Sequence, residues 1–216
     1  LLSITRTSRL APLSESKPKQ IVLLLHGYGS NGDDLISLAP HWRQALPDAI
    51  FLAPDAPERC PGGFGGWQWW NLASLTPQAL AAGAEAAAPV LDAYIDAQLE
   101  EHGLDEADLA MVGFSQGTML ALHVGLRRQR RIAAILGYSG KLTGAATLEP
   151  VTRPPVLLIH GSADQVIPVA ALHEAKAALE RLQIQVEAHV CPGLGHSVDP
   201  TGLRLGGDFV RRNLGA

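Results

Sequence analysis

Leu109-Ala110-Met111-Val112-Gly113-Phe114-Ser115-Gln116-Gly117 decides how the rest of the chain is read. Leu109 to Val112 is an apolar run without alternation, which suits a strand buried on both faces. Thr118 to Leu126 continues as an apolar helix. Between them lies G-x-S-x-G in a strand–turn–helix setting, the context that gives this pattern meaning. A serine on so sharp a turn needs small neighbours two residues away, and Gly113 and Gly117 supply them. The turn lifts the Ser115 hydroxyl clear of the sheet. It also sets the Gln116 N–H at a helix N-terminus, where unpaired donors and the helix dipole favour negative charge.

Working outward, five further runs read as buried strands: Ile21 to Leu25, Ala49 to Ala53, Ile132 to Gly137, Val156 to Ile159 and Val186 to Val190. Helical patterns lie between them. Val90, Leu91, Tyr94, Ile95 and Leu99 recur at helical spacing, while Gly83 and Pro89 predict a break or kink in the Ala-rich stretch around them. Pro168 to Leu182 begins with Pro at a plausible first helical position. Asp199-Pro200 opens a last helix carrying Leu203, Phe209, Val210 and Leu214, although Gly202, Gly206 and Gly207 make it poor on propensity. The polar stretch Ser14 to Gln20 reads as a hairpin loop after a short opening strand. The expected fold class is α/β: a mostly parallel central sheet flanked by helices on both faces, forming one domain over residues 1–216.

Composition narrows the functional classes. The chain has 216 residues, 47% hydrophobic and 18% charged, enough for one sizeable core and unlike a disordered chain. The apolar run Ile21–Leu25 falls far short of the roughly 20 residues that span a bilayer, so no transmembrane segment is expected. A net charge of −4 gives no general attraction to polyanions, and no nucleic-acid partner is expected. Cys60 and Cys191 read as two separate thiols, without zinc-ligand spacing. No metal and no cofactor is assigned. No secretory segment is visible, and a cytoplasmic location is expected.

In parallel sheets, sites form at the carboxyl ends of strands. Val156–Ile159 runs into a loop carrying Asp164, and Val186–Val190 into a Gly-rich loop carrying His196. Each also has a bland reading, a minor one for Ser115 as a capping serine and for Asp164 as an Asx turn or helix cap, and the more common one for His196 taken singly, as a surface residue. Taken together they form a Ser…Asp…His series, each member following a different strand. A hydroxyl is not a nucleophile at neutral pH without a base. His196 would accept its proton, and Asp164 would hold the imidazole tautomer and stabilise its cation.

At these residues the chain resembles the α/β-hydrolase superfamily and, more narrowly, the carboxylesterase, lysophospholipase and acyl-protein thioesterase family. The resemblance runs from Ile21 to Leu214. It rests on His26-Gly27-Tyr28-Gly29 followed by Asp34-Leu35, on Gly113 to Gly117, on His160-Gly161 with Asp164 and Ile167-Pro168, and on Gly193-Leu194-Gly195-His196-Ser197. It implies a Ser115–His196–Asp164 triad acting without a cofactor. It also implies an oxyanion hole from the backbone N–H groups of Tyr28 and Gln116, of which only Gln116 follows from the turn geometry itself. Thr118 stands where family members often carry a second glycine, and Tyr28 where a leucine is common. The expected activity is hydrolysis of carboxylic esters or thioesters through an acyl-enzyme. The expected partners are small-molecule ester, thioester or lysolipid substrates, with a homodimer as the candidate assembly.

The segment Cys60 to Asn71 holds Phe64, Trp67, Trp69 and Trp70 among four glycines. It has two readings: a wall or flap with Phe64, Trp67 and Trp69 against substrate, or a plug of tryptophans in the core. Arg127 to Arg131 reads as a solvated helix end more readily than as an anionic-partner site. His160 precedes the loop that carries Asp164 and is given no catalytic role. Three rival readings stand beside ester hydrolysis: peptidase or lactonase chemistry on the same fold, a non-catalytic binding module, and a nucleic-acid or membrane-surface binder using the arginines.

Overall fold

All the apolar runs read as strands lie in one seven-stranded sheet of a computed structural model that describes residues 2–61 and 65–215. The chain runs β1 (Thr7–Leu10), β2 (Gln20–Leu25), α1 (Gly32–Leu35), α2 (Ala39–Trp42), β3 (Ala49–Pro54), β4 (Glu58–Arg59), β5 (Trp67–Gln68) and α3 (Pro77–His102). It continues through β6 (Leu109–Phe114), α4 (Gln116–Gly125), β7 (Ala134–Tyr138), β8 (Val156–Gly161), α5 (Ala170–Arg181), β9 (Val186–Cys191) and α6 (Pro200–Leu214). The sheet order is β1-β3-β2-β6-β7-β8-β9. All pairs are parallel except β1 with β3. This is the α/β-hydrolase fold. A separate ribbon pairs β4 with β5.

The period-two alternation of strands sorts one apolar run onto two buried faces. Ile21, Leu23 and Leu25 pack with Leu91, Ile95, Leu120 and Leu172, from α3, α4 and α5. Val22 and Leu24 pack on the opposite side with Trp42, Phe209 and Val210, from α2 and α6. Both faces are covered, so the strand carries no polar alternation.

Three local expectations are corrected. Ser14–Gln20 is not a hairpin loop, because β1 pairs with β3 rather than β2. Both edges of β2 are taken by parallel partners, β3 and β6. The Ala-rich helix is not broken: α3 runs unbroken through Gly83 and Pro89. Gly83 is there for packing, since a Cβ would lie 2.2 Å from the Trp70 ring. Pro89 is exposed, and its missing N–H removes one intrahelical bond, that to the carbonyl of Glu85, also an exposed residue. The arginine cluster is not simply a solvated end. Arg128 is 8% exposed and bonded to Asp92, Asp96 and Glu106 at 2.9, 2.5 and 3.1 Å.

The glycines that weaken α6 on propensity let it dock. A Cβ on Gly206 would lie 2.0 Å from the Tyr138 hydroxyl, and one on Gly207 2.5 Å from Trp42. Tyr138 and Trp42 then donate to the Gly202 and Leu203 carbonyls at 3.1 and 2.8 Å. Among the described residues no helix is long and apolar enough to cross a membrane. Backbone approaches closely at Gly117, where a Cβ would meet the Leu25 carbonyl oxygen at 2.0 Å. Backbone cannot swing aside as a side chain can. Gly117→Ala is expected to destabilise by about 1–3 kcal/mol and to lower Tm by roughly 2–4 °C for each of these. Thermal denaturation checks this, and an unchanged Tm would refute the contact.

Candidate active site

The turn after β6 holds Ser115 at φ 54°, ψ −114°, a left-handed backbone rare for any residue with a Cβ. Its surroundings enforce it. The Ser115 amide donates to the Tyr138 carbonyl at 2.9 Å, and the Ser115 carbonyl accepts from Met119 at 3.2 Å. A Cβ on Gly113 would lie 2.4 Å from the Thr118 nitrogen. Thr118 fits the small space the turn leaves, its hydroxyl donating to the Tyr138 carbonyl at 2.9 Å. It packs against Gly137 and Gly140, where an added Cβ would come within 2.5 and 2.3 Å of its side chain.

The turn after β2 lies against this elbow. A Cβ on Gly27 would be 3.3 Å from Ser115 Cβ. His26 is fully buried. Its Nε2 accepts from the Ala56 amide at 2.9 Å, so its Nδ1 carries the proton and donates to the Gly27 carbonyl at 2.7 Å. Burial pushes the His26 pKa down, in keeping with a neutral ring. Among the described residues the Tyr28 amide has no hydrogen-bonded acceptor, and the Gln116 amide opens α4, where no intrahelical partner exists. The Gln116 side chain is locked from the other direction. Its oxygen accepts from the Trp69 amide at 3.0 Å and its nitrogen donates to the Trp70 carbonyl at 2.8 Å.

Asp164 and His196 are joined. His196 Nδ1 donates to Asp164 Oδ2 at 2.7 Å, which leaves Nε2 of that ring as the free base. The other carboxylate oxygen accepts from the Val166 and Ile167 amides at 2.8 and 2.9 Å. Burial alone would raise the Asp164 pKa; the bonds from His196, Ile167 and Val166 outweigh it and hold the carboxyl below its ordinary range. The two loops interlock at Gly161, where a Cβ would lie 2.2 Å from the Leu194 carbonyl oxygen. The Gly193 amide also donates to Ser162 Oγ at 2.8 Å.

Phe114, next to Ser115, carries the His196 ring at a centroid distance of 4.9 Å. Ser139, at the end of β7, donates to the Ser197 carbonyl at 3.5 Å. The imidazole is thus brought to the strand edge that presents Ser115. Among the described residues no hydrogen bond joins Ser115 Oγ to the His196 ring. Such bonds commonly tighten only once substrate is bound.

His160 is the residue that sequence reasoning passed over. It is buried, and its Nε2–H donates to the Ile167 carbonyl at 2.8 Å with Asp164 Oδ2 at 3.2 Å. The signal was present: it ends a strand four residues before Asp164. Cys191 offers no rival nucleophile, since burial, with Asp199 beside it, pushes its thiol up to about 11.

A cavity of about 350 Å³ opens at Ser115 and Gln116, walled by Leu72, Leu75, Leu80, Met119, Ile167 and Lys141. Trp67 and Trp69 are not among its lining residues. Trp69 is buried in the core, its indole donating to the His26 carbonyl at 2.9 Å. Trp67 straps the β2 turn: its carbonyl accepts from Gly29 at 2.9 Å and its amide donates to Ser30 at 2.8 Å. The Tyr28 side chain is also absent from that lining; partial burial and the neighbouring Cys60 thiol raise its hydroxyl pKa. Phe64 lies outside the described residues.

Residues 12–214 match the phospholipase/carboxylesterase family model. The chain belongs to that family. Among solved structures it is similar to esterase PE8, with a TM-score of 0.91, 41% identity and 98% of each chain covered. Among curated relatives it is 27% identical to acyl-protein thioesterase 1 of Gibberella zeae, over 96% of this chain and 97% of that one. It is 25% identical to esterase YpfH of Escherichia coli, over 93% and 86%. Such a family member hydrolyses carboxylic esters or thioesters.

The buried rings and carboxylate make stability depend on acid in a definite sense. His26 stays neutral when folded but takes a proton when unfolded below about pH 6.5. Its contribution is full above that pH and is lost as pH falls toward the lower folded value. Buried His123, also shifted down, acts in the same window. The Asp164 contribution is full above about pH 3.9 and is lost below it. His26→Gln is therefore expected to shrink the fall in Tm on going from neutral to mildly acidic buffer. A fall equal to wild type would assign that sensitivity elsewhere.

Proposed function

We propose that Ser115, His196 and Asp164 act as nucleophile, base and orienting carboxylate in hydrolysis of carboxylic esters or thioesters, with the Tyr28 and Gln116 amides as the oxyanion hole. The observation that carries this reading is the 2.7 Å His196–Asp164 bond, made at the strand edge where Ser115 is held in its left-handed turn.

Ser115 Oγ attacks the carbonyl carbon while His196 Nε2 takes its proton. Negative charge moves to the carbonyl oxygen, where two backbone donors meet it. Each well-aimed donor of this kind is worth about 2.7–4 kcal/mol. The tetrahedral species collapses, and His196 passes its proton to the departing alcohol or thiol. Water, deprotonated by His196, then releases the carboxylic acid and restores Ser115. Asp164 keeps the Nδ1–H tautomer throughout and stabilises the imidazolium. Trp67 and Trp69 support the hole from behind by holding the His26–Ser30 turn. The apolar walls at Ser115 fit an acyl chain.

Exposure to a fluorophosphonate, followed by mass spectrometry, is expected to place one adduct on Ser115 and none on Ser115→Ala. A folded protein without that adduct would sink the reading. Asp164→Asn is expected to lower kcat by about 10⁴ through the wrong imidazole tautomer, measured with a chromogenic ester. Amide turnover exceeding ester turnover would transfer the reading to peptidase chemistry.

A further inference from the structure

Beyond the Ser115 cavity lies a second one, of about 430 Å³, and Leu80 and Lys141 line both. Lys141 is the only charged residue lining the first cavity among the described residues; its other walls are mainly aliphatic. Among those residues Lys141 makes no hydrogen bond and no ion pair. Glu174 lines the second cavity but does not pair with it. Two residues along, Thr143 is 4% exposed and also lines the second cavity. Its hydroxyl oxygen is buried with no hydrogen-bond partner. That oxygen is closed to solvent, so the group that can meet a ligand here is the Lys141 ammonium, a charge with no partner among the described residues on otherwise mainly aliphatic walls.

The side of the scissile bond follows from the lining. The leaving group must sit beside His196, which protonates it. His196 is not among the residues lining the Ser115 cavity, so that cavity takes the acyl part. An acyl chain entering from Ser115 would meet Leu72, Leu80 and Met119, with Lys141 on the same walls.

We propose that the preferred substrates carry a carboxylate at the far end of the acyl chain: half-esters or half-thioesters of dicarboxylic acids, the carboxylate accepting from the Lys141 ammonium. This rests on the reading of Ser115 as the nucleophile. Hydrogen bonds to charged groups discriminate by on the order of tenfold to a hundredfold, and a compact ammonium on a flexible stem suits a carboxylate arriving at the end of a chain.

The test compares mono-p-nitrophenyl esters of succinic, glutaric and adipic acids, each against the same compound with its free carboxyl methylated, after subtraction of the enzyme-free rate. In wild type the acid form is expected to exceed the methylated form in kcat/KM by about tenfold or more at the best-fitting length. Lys141→Met is expected to bring that ratio near unity, and Lys141→Glu to invert it. Each variant's own methylated substrate is its reference, so a general loss of folding cancels. A wild-type ratio at or below one for all three lengths, or a Lys141→Met ratio equal to wild type, would overturn the proposal. If neither form is turned over and no fluorophosphonate adduct forms, the Ser115 reading itself has failed.

Discussion

A serine backbone held at φ 54°, ψ −114° is the constraint around which the rest of this molecule is arranged. Such a conformation costs of order 1–3 kcal/mol and persists only where its surroundings over-determine it. Here they do so from three directions. β7 receives the Ser115 amide through Tyr138. α4 begins at once and shares the Ser115 carbonyl through Met119. The end of β2 presses on Gly117 so closely that no Cβ is admitted. These contacts require β2, β6 and β7 to be neighbours, as the sheet order makes them.

The second half of the site is built on a different economy. Asp164 is buried, yet its two oxygens face amides of Val166 and Ile167, the His196 ring and the His160 ring. Nearly every lone-pair direction is occupied. A carboxylate so enclosed stays ionised without solvent, and its orientation is fixed before any substrate arrives. The preorganisation is strongest in this carboxylate and in the neutral His26 ring, the two groups that do not themselves exchange protons with substrate.

The strands were legible because a strand buried on both faces must be apolar at every position. The runs starting at Ile21, Ala49, Leu109, Val156 and Val186 begin within one residue of the observed strands. Pairing was less legible: the polarity of Ser14–Gln20 marks a surface excursion but not which strand β1 joins. Glycine and proline rules misled at α3 for a related reason. Gly83 answers to Trp70, a partner remote in sequence, and Pro89 lies on the exposed side of the helix. Ser115, Asp164 and His196 stood out because each follows a strand in a recognisable motif. The parts played by the Trp67 backbone, the Gln116 side chain and His160 did not, since they act through buried side chains or backbone atoms that only the fold brings together.

Trp67 ties two regions that evolution would otherwise have to change together. Its backbone clasps Gly29 and Ser30, while the Cys60 amide donates to the Gly66 carbonyl at 3.2 Å. The turn that carries the Tyr28 amide is thereby held by main-chain atoms of Trp67 on one side, with Gly66 so close to Gly29 that a Cβ would fall 2.0 Å from its carbonyl oxygen. Because these bonds run between backbone atoms, the hold on that turn does not depend on the Ser30 or Trp67 side chains.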